Sequence, residues 1–182
     1  KPDNYIGYLS RYAPGRRENG GVYTHAATWA IWAFAKLKQN ENSFEAYRRL
    51  NPILSGMEPD KYVAEPFVTP GNIDGPDSPN YGMAGWTWYT GSASWYQKMI
   101  VDQILGIRAS KEGLVIDPCI PKEWNSFSVK RKFRGTLYTI TVDNTNHSGT
   151  GVTKIIIDGE EVKSNILNVE GKESVQVKVI LG

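Results

Sequence analysis

The period of the apolar residues changes once along this chain, near Gly106, and that change limits the fold more than any other feature. Before it, apolar residues recur at helical spacing; after it, they alternate as in strands. In the segment His25 to Lys38, Ala26, Ala27, Trp29, Ala30, Trp32, Ala33, Phe34, Ala35 and Leu37 leave almost no polar face. That pattern predicts a buried helix rather than a surface one. Asn40 and Asn42 punctuate its end, and Ser43 is the expected N-cap of a polar helix over Phe44 to Leu50, with Glu45 in its first turn. A third helix is expected from Gly91 to Leu105, with Ala93, Tyr96, Met99, Ile100 and Ile104 on one face. Residues 1 to about 22 read as loop. So do residues 55 to 84, which hold Pro59, Pro66, Pro70, Gly71, Gly75, Pro76, Pro79 and Gly82. A loop of that length inside a domain is usually functional or disordered, and Tyr62, Val63, Phe67, Val68 and Tyr81 favour an ordered, functional one.

Beyond Gly106, Leu114 and Ile116 precede a bend at Pro118 to Pro121, and strands follow. Tyr138, Ile140 and Val142 alternate with Thr139 and Thr141, and Val175, Val177 and Val179 alternate in the last strand. Ile155-Ile156-Ile157-Asp158-Gly159-Glu160 predicts a strand entering a tight Asp-Gly hairpin. The chain therefore divides near residues 106 to 112 into a helical part and an antiparallel β part. Three helices, two of them strongly apolar, have too few partners here to bury every face. The expectation is a piece of a larger helical assembly followed by a β-sandwich; a self-sufficient α+β domain is the alternative.

Composition narrows the function classes. A formal net charge of +2 over 182 residues, without a basic block, gives no electrostatic case for nucleic acid or membrane partners. Lys130-Arg131-Lys132 is short, lies in a strand-like region and reads as a solvated face. Cys119 is the sole cysteine and there are two histidines, which argues against an internal disulfide and a multi-ligand metal site. No apolar run approaches the roughly 20 residues of a membrane span, and none is signal-like. The opening Lys1-Pro2-Asp3-Asn4 lacks an initiator Met, as expected of a cleaved precursor or a piece of a longer polypeptide. A cytoplasmic origin fits these features.

The stretch Gly85-Trp86-Thr87-Trp88-Tyr89-Thr90-Gly91-Ser92-Ala93-Ser94-Trp95 sets an aromatic wall suited to sugar faces against a helix start suited to an anion. The first N–H groups of a helix lack intrahelical acceptors, and the macrodipole adds positive charge there. Gly91 permits close approach, and the Thr90 and Ser92 hydroxyls can donate. The plainer reading is that Thr90 or Ser92 caps the helix. A second constellation, Arg16-Arg17-Glu18-Asn19-Gly20-Gly21-Val22-Tyr23-Thr24-His25, stands where the buried helix begins. A salt-bridged loop explains Arg17 and Glu18 equally well, and an isolated His25 is ordinarily a core residue. Two helix starts, each preceded by glycine and polar residues, could also converge on one anion. Glu65, Asp74 and Asp77 offer carboxylates of the kind glycoside hydrolysis uses, although turn formation accounts for Asp74 and Asp77. No nucleophile elbow, P-loop or dinucleotide fingerprint is present.

Taken together, Arg17-Glu18-Asn19-Gly20-Gly21, Tyr23-Thr24-His25-Ala26, Glu65-Pro66 and the stretch from Gly85 to Ala93 resemble glycoside hydrolase family 94. Ile104-Leu105-Gly106-Ile107-Arg108, Ile116-Asp117-Pro118-Cys119-Ile120-Pro121 and Trp124 extend the resemblance to residues 8 to about 125. The last fifty or so residues carry no diagnostic motif. The family contains cellobiose, cellodextrin and chitobiose phosphorylases. The resemblance implies the C-terminal part of an (α/α)6 barrel over residues 1–110 and a small antiparallel β-sandwich over 111–182. It also implies inverting phosphorolysis: inorganic phosphate attacks the anomeric carbon of a β-glucosyl unit, and a carboxylic acid protonates the departing oxygen. By motif, His25, Thr90 and Gly91 are similar to phosphate ligands, with Ser92 beside them. Glu18 resembles the acidic residue that holds the donor sugar, Arg17 the basic residue facing the acceptor, and Trp88 and Trp86 either packing or sugar platform. Tyr8 and Tyr12 are expected near the acceptor. The family's general acid, an Asp, and a phosphate-binding Arg are expected upstream of Lys1, so no catalytic residue is expected in this chain and the chain alone is expected to be inactive. Met83-Ala84-Gly85 stands where Gly-Arg-Gly is common. No cofactor or metal is expected, phosphate being a co-substrate. The expected partners are a β-linked glucosaccharide, the rest of the same enzyme and, as in relatives, a second copy forming a homodimer. A cyclic β-1,2-glucan synthase region and a non-catalytic carbohydrate-binding module are the alternatives.

Overall fold

Alanine-rich sequence and a single buried stripe make the first long helix. The computed structural model describes residues 7–182, so the first six residues of the expected N-terminal loop lie outside the described residues. The described residues form two compact units, one of residues up to 31 with 45–97, the other of 32–44 with 98–182.

Helix α1 (Thr24–Lys36) buries Thr24, Thr28, Ile31 and Ala35, a stripe at spacings of four, three and four. The expectation of burial on every side is not met: Ala30 and Ala33 are exposed, Trp29 is 53% exposed and Leu37 beyond the helix is 67% exposed. Past its end at Lys36 the chain turns at Lys38, which takes a left-handed φ of 58°, while the Gln39 N–H reaches back to the Phe34 carbonyl at 2.9 Å. Helix α2 (Asn40–Arg49) follows, starting four residues before the expected Phe44. Ser43 is therefore not its N-cap but lies inside it, fully buried, with its N–H on the Gln39 carbonyl at 2.9 Å.

The long Pro/Gly loop is ordered. It begins at the end of a short helix, α3 (Pro52–Ser55), and contains another, α4 (Pro59–Tyr62), each with proline in its first turn. It also supplies two strands of a small antiparallel sheet in the order β1 (Val22–Tyr23), β2 (Asn72–Ile73), β3 (Ala84–Gly85). Two-residue strands leave no periodic signal, which is why this sheet was not expected. Helix α5 (Thr90–Lys98) continues as π-helical turns over Met99–Ile104, close to the expected third helix.

The β part contains β4 (Ile107–Ala109), β5 (Leu114–Ile116), β6 (Ser126–Phe133), β7 (Thr136–Asp143), β8 (Val152–Ile157), β9 (Glu160–Val162), β10 (Ile166–Leu167) and β11 (Ser174–Leu181). They form a three-stranded sheet, β10-β5-β4, and a five-stranded sheet, β6-β7-β11-β8-β9. All pairs are antiparallel except β7 with β11, which is parallel. The expected alternation holds: Tyr138, Ile140, Val142, Val175, Val177 and Val179 are all buried. Each such side chain contributes about 1.5–3 kcal/mol of apolar burial. The Asp158-Gly159 turn joins β8 and β9 with φ values of 51° and 93°, as a primed hairpin requires. Among the described residues, no helix is long and apolar enough to cross a membrane and no cluster of His, Cys, Asp and Glu could hold a metal ion.

Candidate functional site

Three consecutive residues, Thr69-Pro70-Gly71, hold two helix starts together. The Thr24 N–H donates to the Gly71 carbonyl at 3.2 Å, and the Thr24 hydroxyl donates to the Pro70 carbonyl. On the other side, the Tyr89 N–H donates to the Thr69 carbonyl at 3.0 Å and the Thr69 hydroxyl donates to the Tyr89 carbonyl at 3.0 Å. Gly71 in turn donates to the carbonyls of Gly85 and Trp86 at 3.0 and 2.9 Å. The N-termini of α1 and α5 are thereby fixed beside each other. A Cβ at Gly91 would lie 3.3 Å from His25 Nδ1.

His25 and Gly91 are each the second residue of their helix, where backbone N–H groups lack intrahelical acceptors. Both helix dipoles favour negative charge at this point. Aromatic rings wall the imidazole: Tyr23 at 6.0 Å, Trp29 at 5.8 Å and Trp95 at 6.1 Å between centroids. Thr90 and Gly91 are exposed, as an incoming anion requires. Ser92 is different. Its hydroxyl is buried, 2.8 Å from the Tyr89 carbonyl and 3.0 Å from the Thr69 hydroxyl. That side chain holds the turn, and its one proton is directed inward.

A cavity of about 330 Å³ adjoins the paired tyrosines, lined by Arg17, Glu18, Gly21, Tyr23, Gly71, Asn72, Trp86 and Tyr89. Its size suits a small polar ligand. The Tyr23 and Tyr89 hydroxyls lie 3.1 Å apart, and this bond raises the Tyr23 pKa above the usual phenol value. A second cavity, of about 370 Å³, shares Arg17, Asn72 and Trp86 and is closed by Tyr12, Arg16, Asp74, Met83, Ala84 and Gly85. The Arg17 guanidinium lies 4.4 Å from the Trp86 ring centroid and 5.0 Å from that of Tyr12, whose hydroxyl accepts from it at 3.0 Å. Arg17, Trp86 and Trp88 all adopt left-handed φ values, of 46°, 52° and 60°. For side chains of this bulk, such backbone persists only where the surroundings hold it, and it clusters at ligand sites.

The sequence-derived residues separate into groups. Arg17 and Glu18 share one cavity, with Arg17 Nε 3.9 Å from Glu18 Oε2. His25 and Gly91 meet, with Thr90 next to them. Trp88 does not join the Glu18 cavity. It is 69% exposed, lines another hollow with Phe67 and Thr90, and donates its indole N–H to Glu65 at 3.0 Å. Glu65 is held below the usual carboxylate range first by its own backbone N–H and then by that indole. Trp86, 58% exposed, is the ring that lines the cavity with Glu18, so neither tryptophan is core packing. Tyr8 is exposed and touches Tyr12 edge-on. Asn72 and the Thr69-Pro70-Gly71 clamp were not singled out as site residues; their only signal was membership of a long, ordered loop, whereas Tyr89 belongs to the aromatic stretch from Gly85 to Trp95. Asp74, read as a turn former, is a buried network centre.

Comparison with known proteins places these features in context. Residues 1–106 match the glycosyl hydrolase 94 superfamily, catalytic domain, and residues 107–164 match the glycosyl hydrolase family 65, C-terminal domain. The chain is 38% identical over 181 residues to an N,N'-diacetylchitobiose phosphorylase of Vibrio furnissii, covering 100% of this chain and 22% of that protein. It is 42% identical over 152 residues to the cyclic beta-(1,2)-glucan synthase NdvB of Rhizobium meliloti (strain 1021), covering 82% of this chain and 5% of that one. A solabiose phosphorylase of Paenibacillus borealis is 31% identical over 166 residues, covering 91% of this chain and 22% of that protein. The chain thus spans under a quarter of the length of each of these relatives.

Proposed function

The chain belongs to the glycosyl hydrolase 94 superfamily, and from that membership we propose that it is the C-terminal portion of an inverting β-glucoside phosphorylase. Residues 1–110 complete an (α/α)6 barrel begun upstream, and residues 111–182 form its C-terminal sandwich. The observation that carries the reading is the seating of the His25 ring against Gly91 at the start of α5, flanked by the tyrosines of a sugar-sized cavity that holds Glu18.

In this reading, phosphate sits against the first N–H groups of α5 at Thr90 and Gly91, with the His25 imidazole as a further donor. Negative charge is stabilised there without reorganisation, because Thr69-Pro70-Gly71 already holds both helix starts. Glu18 accepts hydrogen bonds from hydroxyls of the β-glucosyl unit, and Trp86 presents an aromatic face to it. Arg17 faces the acceptor sugar. Phosphate displaces the acceptor with inversion, giving α-glucose 1-phosphate, while an upstream Asp protonates the leaving oxygen. Ser92 serves as a tie for the α5 turn, and Trp88 stands outside the donor cavity. A cytoplasmic location and a homodimer accompany the reading.

The assay is formation of α-glucose 1-phosphate from β-linked gluco-disaccharides and inorganic phosphate. The complete polypeptide is expected to form it, and residues 1–182 alone to form none. Turnover by the isolated chain, or phosphate-independent release of free glucose by the complete one, would overturn the proposal. The 42% identity to the glucan synthase favours a second reading, in which the same site trims β-1,2-glucan chains. Activity on β-1,2-glucans with none on disaccharides would select it. Saccharide binding indifferent to phosphate, with no turnover, would point to a carbohydrate-binding module.

A further inference from the structure

The Asp74 carboxylate is only 3% exposed and has hydrogen-bond partners on both oxygens. Arg16 Nε donates to Oδ2 at 3.1 Å, the Ser78 hydroxyl to Oδ2 at 2.8 Å, and the Asn72 amide to Oδ1 at 3.1 Å. A buried carboxylate with one cationic partner and two neutral donors is held in one geometry, and losing it leaves those donors unpaired. The Asn72 amide, once its NH2 faces Asp74, must turn its carbonyl the other way. That carbonyl oxygen accepts the backbone N–H of Arg17 at 3.1 Å. Arg17 has a left-handed backbone, with a φ of 46°, and its guanidinium stacks on Trp86 at the wall common to the two cavities. The Arg16–Asn19 bridge closes the same loop around Glu18.

We infer that Asp74 is a positioning residue for the saccharide half of the site, acting through Asn72 on the backbone of Arg17 and through Arg16 on the loop bearing Glu18. The inference rests on the phosphorylase reading. The phosphate cradle hangs from a different support, Thr69-Pro70-Gly71, so the two halves of the site respond separately to damage. Asp74 touches no reacting atom. It fixes where Arg17 and Glu18 meet the sugar, and a small misplacement there weakens binding of the saccharide alone.

The test compares Asp74→Asn, Asn72→Ala and Ser78→Ala in the complete enzyme, measuring KM for saccharide and for phosphate separately. Asp74→Asn and Asn72→Ala are expected to raise the saccharide KM about tenfold or more while leaving the phosphate KM within about twofold. Ser78→Ala removes a bond to the same carboxylate but not the link to Arg17, and is expected to leave both KM values near wild type. A parallel rise of both KM values, or the same split in Ser78→Ala, overturns the inference. A second readout is made in the same complete enzyme: the NMR signals of the Arg17 Nε–H and Trp86 indole N–H are expected to move in Asp74→Asn while the Thr90 and Gly91 amides stay in place. Unmoved Arg17 and Trp86 signals overturn the inference whatever the enzyme does. Absence of phosphorolysis in the wild type would instead defeat the proposed function.

Discussion

Gly91 matters because of what stands 3.3 Å from where its Cβ would be, the imidazole of His25. A methyl group there presses on the ring and covers the α5 N–H groups that an anion would approach. Gly91→Ala is therefore expected to weaken phosphate binding about tenfold or more while leaving saccharide affinity nearly unchanged. Titration with inorganic phosphate checks this, and wild-type affinity in the variant would remove Gly91 from the cradle. The Thr-Gly pair and His25 were legible in the sequence because a helix start, a glycine and a histidine each have chemistry readable in one dimension. Ser92 was not, since the choice between an outward and an inward hydroxyl depends on Thr69, 23 residues away in sequence. Trp86 and Trp88 are two residues apart with the same left-handed backbone, yet only Trp86 lines the Glu18 cavity, while Trp88 pairs with Glu65, 23 residues away in sequence.

Among the elements, the β8–β9 hairpin was the most readable. Asp158-Gly159 supplies the two positive φ angles, and alternation supplies the strands. The structure adds that Asp158 reaches across to β11 and its approach. Its Oδ1 accepts the Gln176 N–H at 2.9 Å, and its Oδ2 takes the Lys172 ammonium at 2.8 Å. The Lys172 ammonium first, and then the Gln176 N–H, hold the Asp158 carboxyl below its usual range. A carboxylate with a lowered folded-state pKa adds stability that is fully present above its unfolded value, about 3.9, and is lost as pH falls through the folded one. Denaturation midpoints are expected to drop below about pH 4, with the Asp158→Asn variant showing a smaller drop over that window. Asn keeps the turn, because it tolerates left-handed backbone, and can still accept from Gln176. Identical pH curves for the two proteins would exclude the effect. By contrast, the parallel pairing of β7 and β11 was hidden. The two strands alternate alike in either orientation, and the connection between them, not their pattern, sets direction.

At the scale of the molecule, α1 joins sequence and function. Its apolar residues run all round, yet only one stripe is buried, leaving Trp29 half exposed. In the proposed function, upstream barrel helices cover that face. Acrylamide quenching of Trp29, isolated as the difference between wild type and Trp29→Phe, is expected to be strong in residues 1–182 and weak in the complete polypeptide. Equal quenching in both would argue against a covered face. The sequence by itself determined the order of helical and β parts, the alternating core of the sheet, the family and the two helix starts that carry His25 and Thr90-Gly91. Those are properties of short windows and periodic patterns, which a linear string preserves. Only the tertiary structure decided that Thr69-Pro70-Gly71 yokes two helix starts and that Asp74 reaches Arg17 through Asn72. It alone also decided that Trp86 rather than Trp88 faces Glu18. Those are contacts between residues far apart in the chain, and no local propensity encodes which distant partner a buried carboxylate or carbonyl will meet.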